Sequence, residues 1–238
     1  MTASLREQAR PGSAAPDFRH VRHWIFDLDN TLYRGDCGLF AQIESRMTDF
    51  VATLTGMERG EARRLQKELY RQYGTTLSGL MATRGIDPET YLGFVHDIDL
   101  SSLQADPALA LAVARLPGKR YIFTNGCRHH AQRILSTLGL ADLFDAVWDI
   151  RTIGFIPKPD RRAYEAVVAD AGLVADQAAM FDDIAHNLVA ARALGMTTIW
   201  LRTGGDYGPH GSEISLAEQR HIDHETADLT AFLNGIGI

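Results

Sequence analysis

Cysteine is scarce in this 238-residue chain: Cys37 and Cys127 stand apart, with no C-x-x-C pair. That excludes a disulfide framework, and two free thiols in a reducing cytosol are expected. Long apolar runs are also missing. None approaches the roughly 18 to 20 residues that cross a bilayer, so no membrane partner is expected. The N-terminus lacks the basic-then-apolar plan of a secretory signal, which makes the expected location cytoplasmic. Basic clusters are absent too. Lys and Arg total 24 against 30 Asp and Glu, a formal net charge of -6, so a nucleic acid polymer is not an expected partner, whereas a small phosphorylated metabolite is compatible with that charge. There is no internal repeat and no low-complexity tract.

What is present is enough apolar sequence, 45% of residues, to bury a full core in a main domain carrying a smaller insertion. Residues 1–20 contain small residues and prolines without periodicity and are expected to be a flexible tail. VRHWIFDLDNTLY (21–33) reads as an apolar strand ending in carboxylates. From 38 to 104 apolar residues recur at three- and four-residue intervals, which predicts a helical cap. Strands are then expected at 120–126, 146–150, 178–183 and 197–204, alternating with helices around 107–116, 129–139, 160–172 and 184–195. The final segment, from about 205, reads as Gly- and Pro-containing and then weakly helical. Short apolar strands alternating with helices predict an α/β fold: an open, mostly parallel, Rossmann-like sheet flanked by helices, with the core at 21–37 and 105–238 and the cap at 38–104.

In such sheets ligands sit beyond the carboxyl ends of the strands. Here those ends carry Asp27 and Asp29, Thr124 and Asn125, and Asp182 and Asp183, with Lys158 on a loop. Each alone suits a turn or a helix cap; together they form a constellation. Up to four carboxylates crowded together raise one another's pKa values and oppose folding unless a cation is present. An all-oxygen set suits Mg²⁺, while His129, His130 and His186 lack zinc spacing. With a metal in place, one carboxylate can attack phosphorus while Lys158 and hydrogen-bond donors stabilise the equatorial oxygens. A nucleophile must be ionised and fixed, and its partner must exchange protons with the leaving group. Asp27 is therefore the expected nucleophile and Asp29 the general acid/base. Thr124, the N–H of Asn125 and Gly126 are expected to hold phosphate oxygens, and Pro157 and Pro159 to restrain the Lys158 loop.

FDLDNTL (26–32), FTNG (123–126), Lys158 in PKP and FDDIAHN (181–187) together resemble the four motifs of the haloacid dehalogenase superfamily. The resemblance implies a phosphatase that forms an aspartyl-phosphate on Asp27, with Asp29 as acid/base and its backbone carbonyl on Mg²⁺. It also implies Asp183 as a direct metal ligand, Asp182 acting through water, and Asn187 orienting that site from behind. YGTTLSGL (73–80), YLGFVHDIDLSSL (91–103), LPGKRYIFTNG (116–126) and AAMFDDIAHNLVAARALGMTTIW (178–200) further resemble the pyrimidine 5'-nucleotidase subfamily. This implies UMP or CMP as substrate, with Thr75, Thr76 and His96 bonding to ribose or base and Tyr73 or Phe94 packing on a ring. Cys127 departs from the polar residue expected after TNG.

Other readings are a phosphatase for sugar phosphates, phosphoglycolate or other small phosphomonoesters, and a noncatalytic interaction protein. A dehalogenase has no need of Asp29 or the acidic site, and a phosphomutase would return the phosphoryl group to a second hydroxyl.

Overall fold

The computed structural model describes residues 15–202 and 215–238. Residues 1–14 of the expected tail, the last two residues of the strand expected at 197–204, and the Gly- and Pro-containing segment up to 214 lie outside the described residues. The described strands are β1 (His23–Phe26), β2 (Lys119–Phe123), β3 (Ala146–Trp148), β4 (Ala178–Asp182), β5 (Thr197–Leu201) and β6 (His224–Thr226). They form one open sheet in the order β3-β2-β1-β4-β5-β6, with every pair parallel. Helices cover both faces, as a parallel sheet requires.

β1 shows why the strands read as continuous apolar runs. Trp24 and Phe26 join one core cluster and Ile25 the other, because successive side chains alternate between faces and both faces are covered. Phe26 stacks on Phe181 of β4 at 4.6 Å. The chain crosses from one side of β1 to the other on passing from β2 and β3 to β4. This topological switch opens a crevice beyond the strand ends.

Four helices lie between β1 and β2: α1 (Leu39–Thr55), α2 (Arg59–Tyr73), α3 (Thr76–Arg84) and α4 (Pro88–Val95). Helix α2 is polar on most of its surface but buries Ala62, Gln66 and Leu69 on one stripe. The side chain of Thr75 caps α3 by accepting the Ser78 N–H at 3.0 Å, and Asp87 caps α4 ahead of Pro88. Leu69, Leu77, Leu80, Leu92 and Val95 from these helices continue the core cluster that contains Ile25 and Phe123. The insertion is therefore packed onto the sheet domain.

Helix α5 (Pro107–Ala114) precedes β2, and α6 (Arg128–Leu138) follows it. Helix α7 (Arg161–Ala171) leads to β4, and α8 (Ala185–Ala193) leaves it. The chain ends in α9 (Leu216–Gln219), β6 and α10 (Leu229–Gly235).

Two expectations change. Residues 15–20 are no loose tail: Phe18 is fully buried and packs against Trp24 and Phe232. Its N–H donates to the Gly237 carbonyl at 2.8 Å, and Gly237 in turn donates to Pro16. In the C-terminal segment, residues 224–226 form the edge strand β6 on β5. A three-residue strand of His, Glu and Thr carries no apolar alternation by which to read it.

Candidate active site

The site lies where β1, β2 and β4 end. Asp27 is the first residue beyond β1, and its N–H still donates to Phe181 of β4 at 2.9 Å, so it keeps the strand's register. Asp182 ends β4 one position past the Phe26–Phe181 pair, which places it beside Asp27 across the switch point. Asn30 then takes a left-handed turn, with φ of 59°, and reverses the chain into the insertion.

Lys158 is almost fully buried. Its ammonium donates to Asp27 Oδ1 at 2.8 Å and to Asp182 Oδ2 at 2.7 Å. Burial works against the charge on Lys158, but Asp182 and Asp27 outweigh it and hold the pKa above its ordinary value. Asn125 fixes the loop, accepting the Lys158 N–H at 2.8 Å and donating to the Lys158 carbonyl at 3.1 Å. Asp182 is saturated: it accepts the Ile184 N–H at 2.9 Å and both of its oxygens take Asn187 Nδ2, at 2.9 and 3.1 Å. Asn187 thus orients Asp182, which orients Lys158.

Asp27, Asp182 and Asp183 bring carboxylate oxygens within 4.8 Å of one another. Burial pushes the Asp183 carboxyl well up, with Asp27 and Asp182 adding to the push. Burial also raises Asp27, against the pull of Lys158. One ammonium among three carboxylates, two of them buried and Asp183 half-buried, leaves negative charge uncompensated, and with only oxygen donors the residues fit a hard divalent cation. This cluster could hold a metal ion.

Asp29 turns to different partners. Its Oδ1 accepts Tyr33 Oη at 2.5 Å and lies 2.8 Å from His130 Nε2. Oδ2 makes no hydrogen bond among the described residues. Burial alone would raise the Asp29 carboxyl; the His130 imidazole and the Tyr33 phenol outweigh it and bring it to about 2. His130 is fully buried and stacks on His96, with centroids 4.5 Å apart. His96 Nδ1 lies 3.2 Å from Cys127 Sγ. The sequence motifs do not single out Tyr33 or His130, and the histidine lacks metal-binding spacing. The available signal was position: His130 lies in the first turn of α6, the helix that leaves the TNG strand end, and Tyr33 follows Asp29 by four residues.

A cavity of about 430 Å³ is lined by Asp27, Asp29, Thr124, Asn125, Gly126, Lys158, Asp183 and Asn187 from the sheet side. Gln66, Lys67, Tyr70, Arg71, Thr75, Thr76, Tyr91 and His96 line it from the insertion. Thr75, Thr76 and His96 therefore line the same cavity as the carboxylates. Tyr73 and Phe94 do not line it. Tyr73 packs in the core beside Gly79, and Phe94 lies on the surface with the Arg46 guanidinium 4.6 Å over its ring. Both are aromatics at helical spacing whose partners belong to the protein. Gly126 is also reassigned: its N–H donates to Thr124 Oγ1 at 2.9 Å, which leaves the Thr124 hydroxyl hydrogen and the Asn125 N–H as the donors at this turn.

Residues 21–195 match the model of the haloacid dehalogenase-like hydrolases. The chain is 33% identical over 190 residues to phosphate metabolism protein 8 of Saccharomyces cerevisiae, covering 73% of this chain and 59% of that protein's length. It is 36% identical over 196 residues to a phosphatase of Mycobacterium tuberculosis, covering 72% of this chain and 83% of the other. The fold is similar to the crystal structure of a haloacid dehalogenase-type phosphatase from Thermococcus onnurineus. The TM-score there is 0.59 at 21% identity, over 92% of this chain and 100% of that one.

Proposed function

The chain belongs to the haloacid dehalogenase-like hydrolase family, and from that premise we propose that it is a Mg²⁺-dependent phosphatase acting on pyrimidine nucleoside 5'-monophosphates. The observation that carries the reading is Asp27, held at the end of the central strand by Lys158 and facing a cavity beside two further carboxylates. The phosphatase named among its relatives supports the reaction class.

Asp27 attacks phosphorus in line, the bond to the leaving-group oxygen breaks, and an aspartyl-phosphate forms. Asp29, bearing a proton, gives it to the departing alkoxide through Oδ2; it then takes a proton from the water that attacks the aspartyl-phosphate and releases inorganic phosphate. The dianionic charge of a bound phosphate favours the protonated form of Asp29, opposing its low pKa in the free site. Lys158, the Thr124 hydroxyl and the Asn125 N–H hold the equatorial oxygens. Asp27, the backbone carbonyl of Asp29 and Asp183 would hold Mg²⁺, with Asp182, whose oxygens are engaged by Lys158, Ile184 and Asn187, outside direct ligation. When bound, the ion would offset phosphate charge in the transition state. The α1–α4 insertion covers the leaving group and excludes water. The pyrimidine preference rests on the 73–80 and 91–103 segments, which contribute Thr75, Thr76, Tyr91 and His96 to the cavity.

Phosphate release from UMP, CMP, ribose 5-phosphate and phosphoglycolate, with Mg²⁺ and with EDTA, tests this. The expected result is Mg²⁺-dependent turnover with the highest kcat/KM on UMP or CMP. A preference for a sugar phosphate or phosphoglycolate would keep the chemistry and overturn the substrate. Asp27→Asn is expected to lower kcat by at least about 10³-fold and to abolish acid-stable label from ³²P-substrate; wild-type turnover by that variant would overturn the mechanism.

A further inference from the structure

Among the insertion residues that line the cavity, three buried polar side chains have hydrogen-bonding capacity that the protein leaves largely unused. Tyr91 is 2% exposed and its hydroxyl makes no hydrogen bond of good geometry. Its one polar neighbour is the Thr76 side chain, which interacts with it weakly; the Thr76 hydroxyl donates to the Gln66 backbone carbonyl at 3.4 Å, leaving its oxygen able to accept. Gln66 takes Thr48 Oγ1 on Oε1 at 2.6 Å, while its Nε2 has only the soft contact with Met47 Sδ at 3.6 Å. All three residues line the cavity that also holds Asp27.

We propose that Tyr91, Gln66 and Thr76 form a recognition subsite for an uncharged, hydrogen-bonding head of the leaving group. Tyr91 Oη and Gln66 Nε2 can donate and Thr76 Oγ1 can accept, a set that matches a base carbonyl and N–H edge or neighbouring sugar hydroxyls. None of the three is ionisable near neutral pH, so these groups by themselves offer a charged head no counter-charge; the Lys67 and Arg71 side chains that also line the cavity stand outside the set. An apolar head would leave the Tyr91 hydroxyl unpaired, a penalty already present in the free protein. Sites that bond a substrate's polar group reject analogues lacking it far more strongly than apolar pockets reject extra bulk. The inference deepens the phosphatase reading and rests on it for the identity of the leaving group.

Tyr91→Phe separates binding from folding. It removes an unpartnered hydroxyl and keeps the ring that packs on Phe50 at 5.0 Å, so the Tm of the free protein is expected not to fall. The ratio of kcat/KM for UMP to that for benzyl phosphate is expected to drop about tenfold. A parallel drop in the ribose 5-phosphate to benzyl phosphate ratio assigns the subsite to sugar hydroxyls; a drop for UMP alone assigns it to the base. Ratios within twofold of wild type for both would overturn the proposal and leave the hydroxyl to a bound water. Calorimetric titration with uridine and with ribose needs no turnover. If wild type releases no phosphate from any of the three esters, the phosphatase reading fails, and the subsite stands only if Tyr91→Phe weakens uridine or ribose binding about tenfold.

Discussion

Asp29 carries two donors on one oxygen and none on the other. Tyr33 and His130 both engage Oδ1, which locks the carboxyl rotamer and leaves Oδ2 to meet a leaving group. His130 touches no reacting atom in this scheme and acts by positioning Asp29. Esters with poor leaving groups need that proton, whereas p-nitrophenolate departs without it. His130→Asn is therefore expected to lower kcat on UMP by about 10²-fold and on p-nitrophenyl phosphate by much less. Equal losses on both would mean that the imidazole merely supports the fold. Asp27 and Asp182 were legible from sequence because strand ends in a parallel sheet converge, and Lys158 because its proline-flanked loop matches the family motif. The partners of Asp29 were not, because only tertiary structure brings the first turn of α6 against the turn after β1.

At the scale of elements, β1, β2, β4 and β5 were readable because strands buried on both faces are short apolar runs with sharp borders. β6 was not, since an edge strand of three polar residues gains its pairing from β5 rather than from its own propensity. The entry to β2 depends on one backbone approach. Gly118 has φ of +87°, and a Cβ there would stand 2.2 Å from the Arg22 carbonyl oxygen, the same oxygen that accepts the Lys119 N–H at 2.9 Å. Gly118→Ala is expected to destabilise by well over about 1 kcal/mol. The urea midpoint reads this directly; an unchanged midpoint would show that β1 and β2 can shift apart without loss.

In the whole molecule, insertion and sheet domain meet around His96, the residue that ends α4. Arg133 of α6 donates to the His96 carbonyl at 2.9 Å and to that of Ile98 at 2.8 Å, and Arg151 pairs with Glu89 across the same seam. Burial, and then His130, lower the His96 pKa from 6.5 to about 3. Between those values the unfolded chain binds a proton that the folded chain refuses. Stability is thus fully present above pH 6.5 and falls as the pH drops toward 3. At pH 5 the loss from this residue is about 2 kcal/mol. Replacing His96 with Gln should flatten that part of the pH dependence of urea unfolding, and an undiminished acid slope would assign it to other groups. None of this seam was legible in the sequence, where His96 read as a substrate contact; it does line the cavity, but its ring is also held by Cys127 and His130.

The pairing of Asp17 with Gly237 makes the described chain nearly a closed ring. Its connectivity could be cut elsewhere without opening the sheet. A circular permutant that joins Ile238 to Pro16 through a short linker and starts at Met57, on the exposed turn between α1 and α2, should fold with the Phe18 cluster intact. Near-ultraviolet circular dichroism matching the parent would show it, whereas a permutant without fixed aromatic packing would mean that the order of synthesis, and not only the final contacts, is needed to seat Phe18.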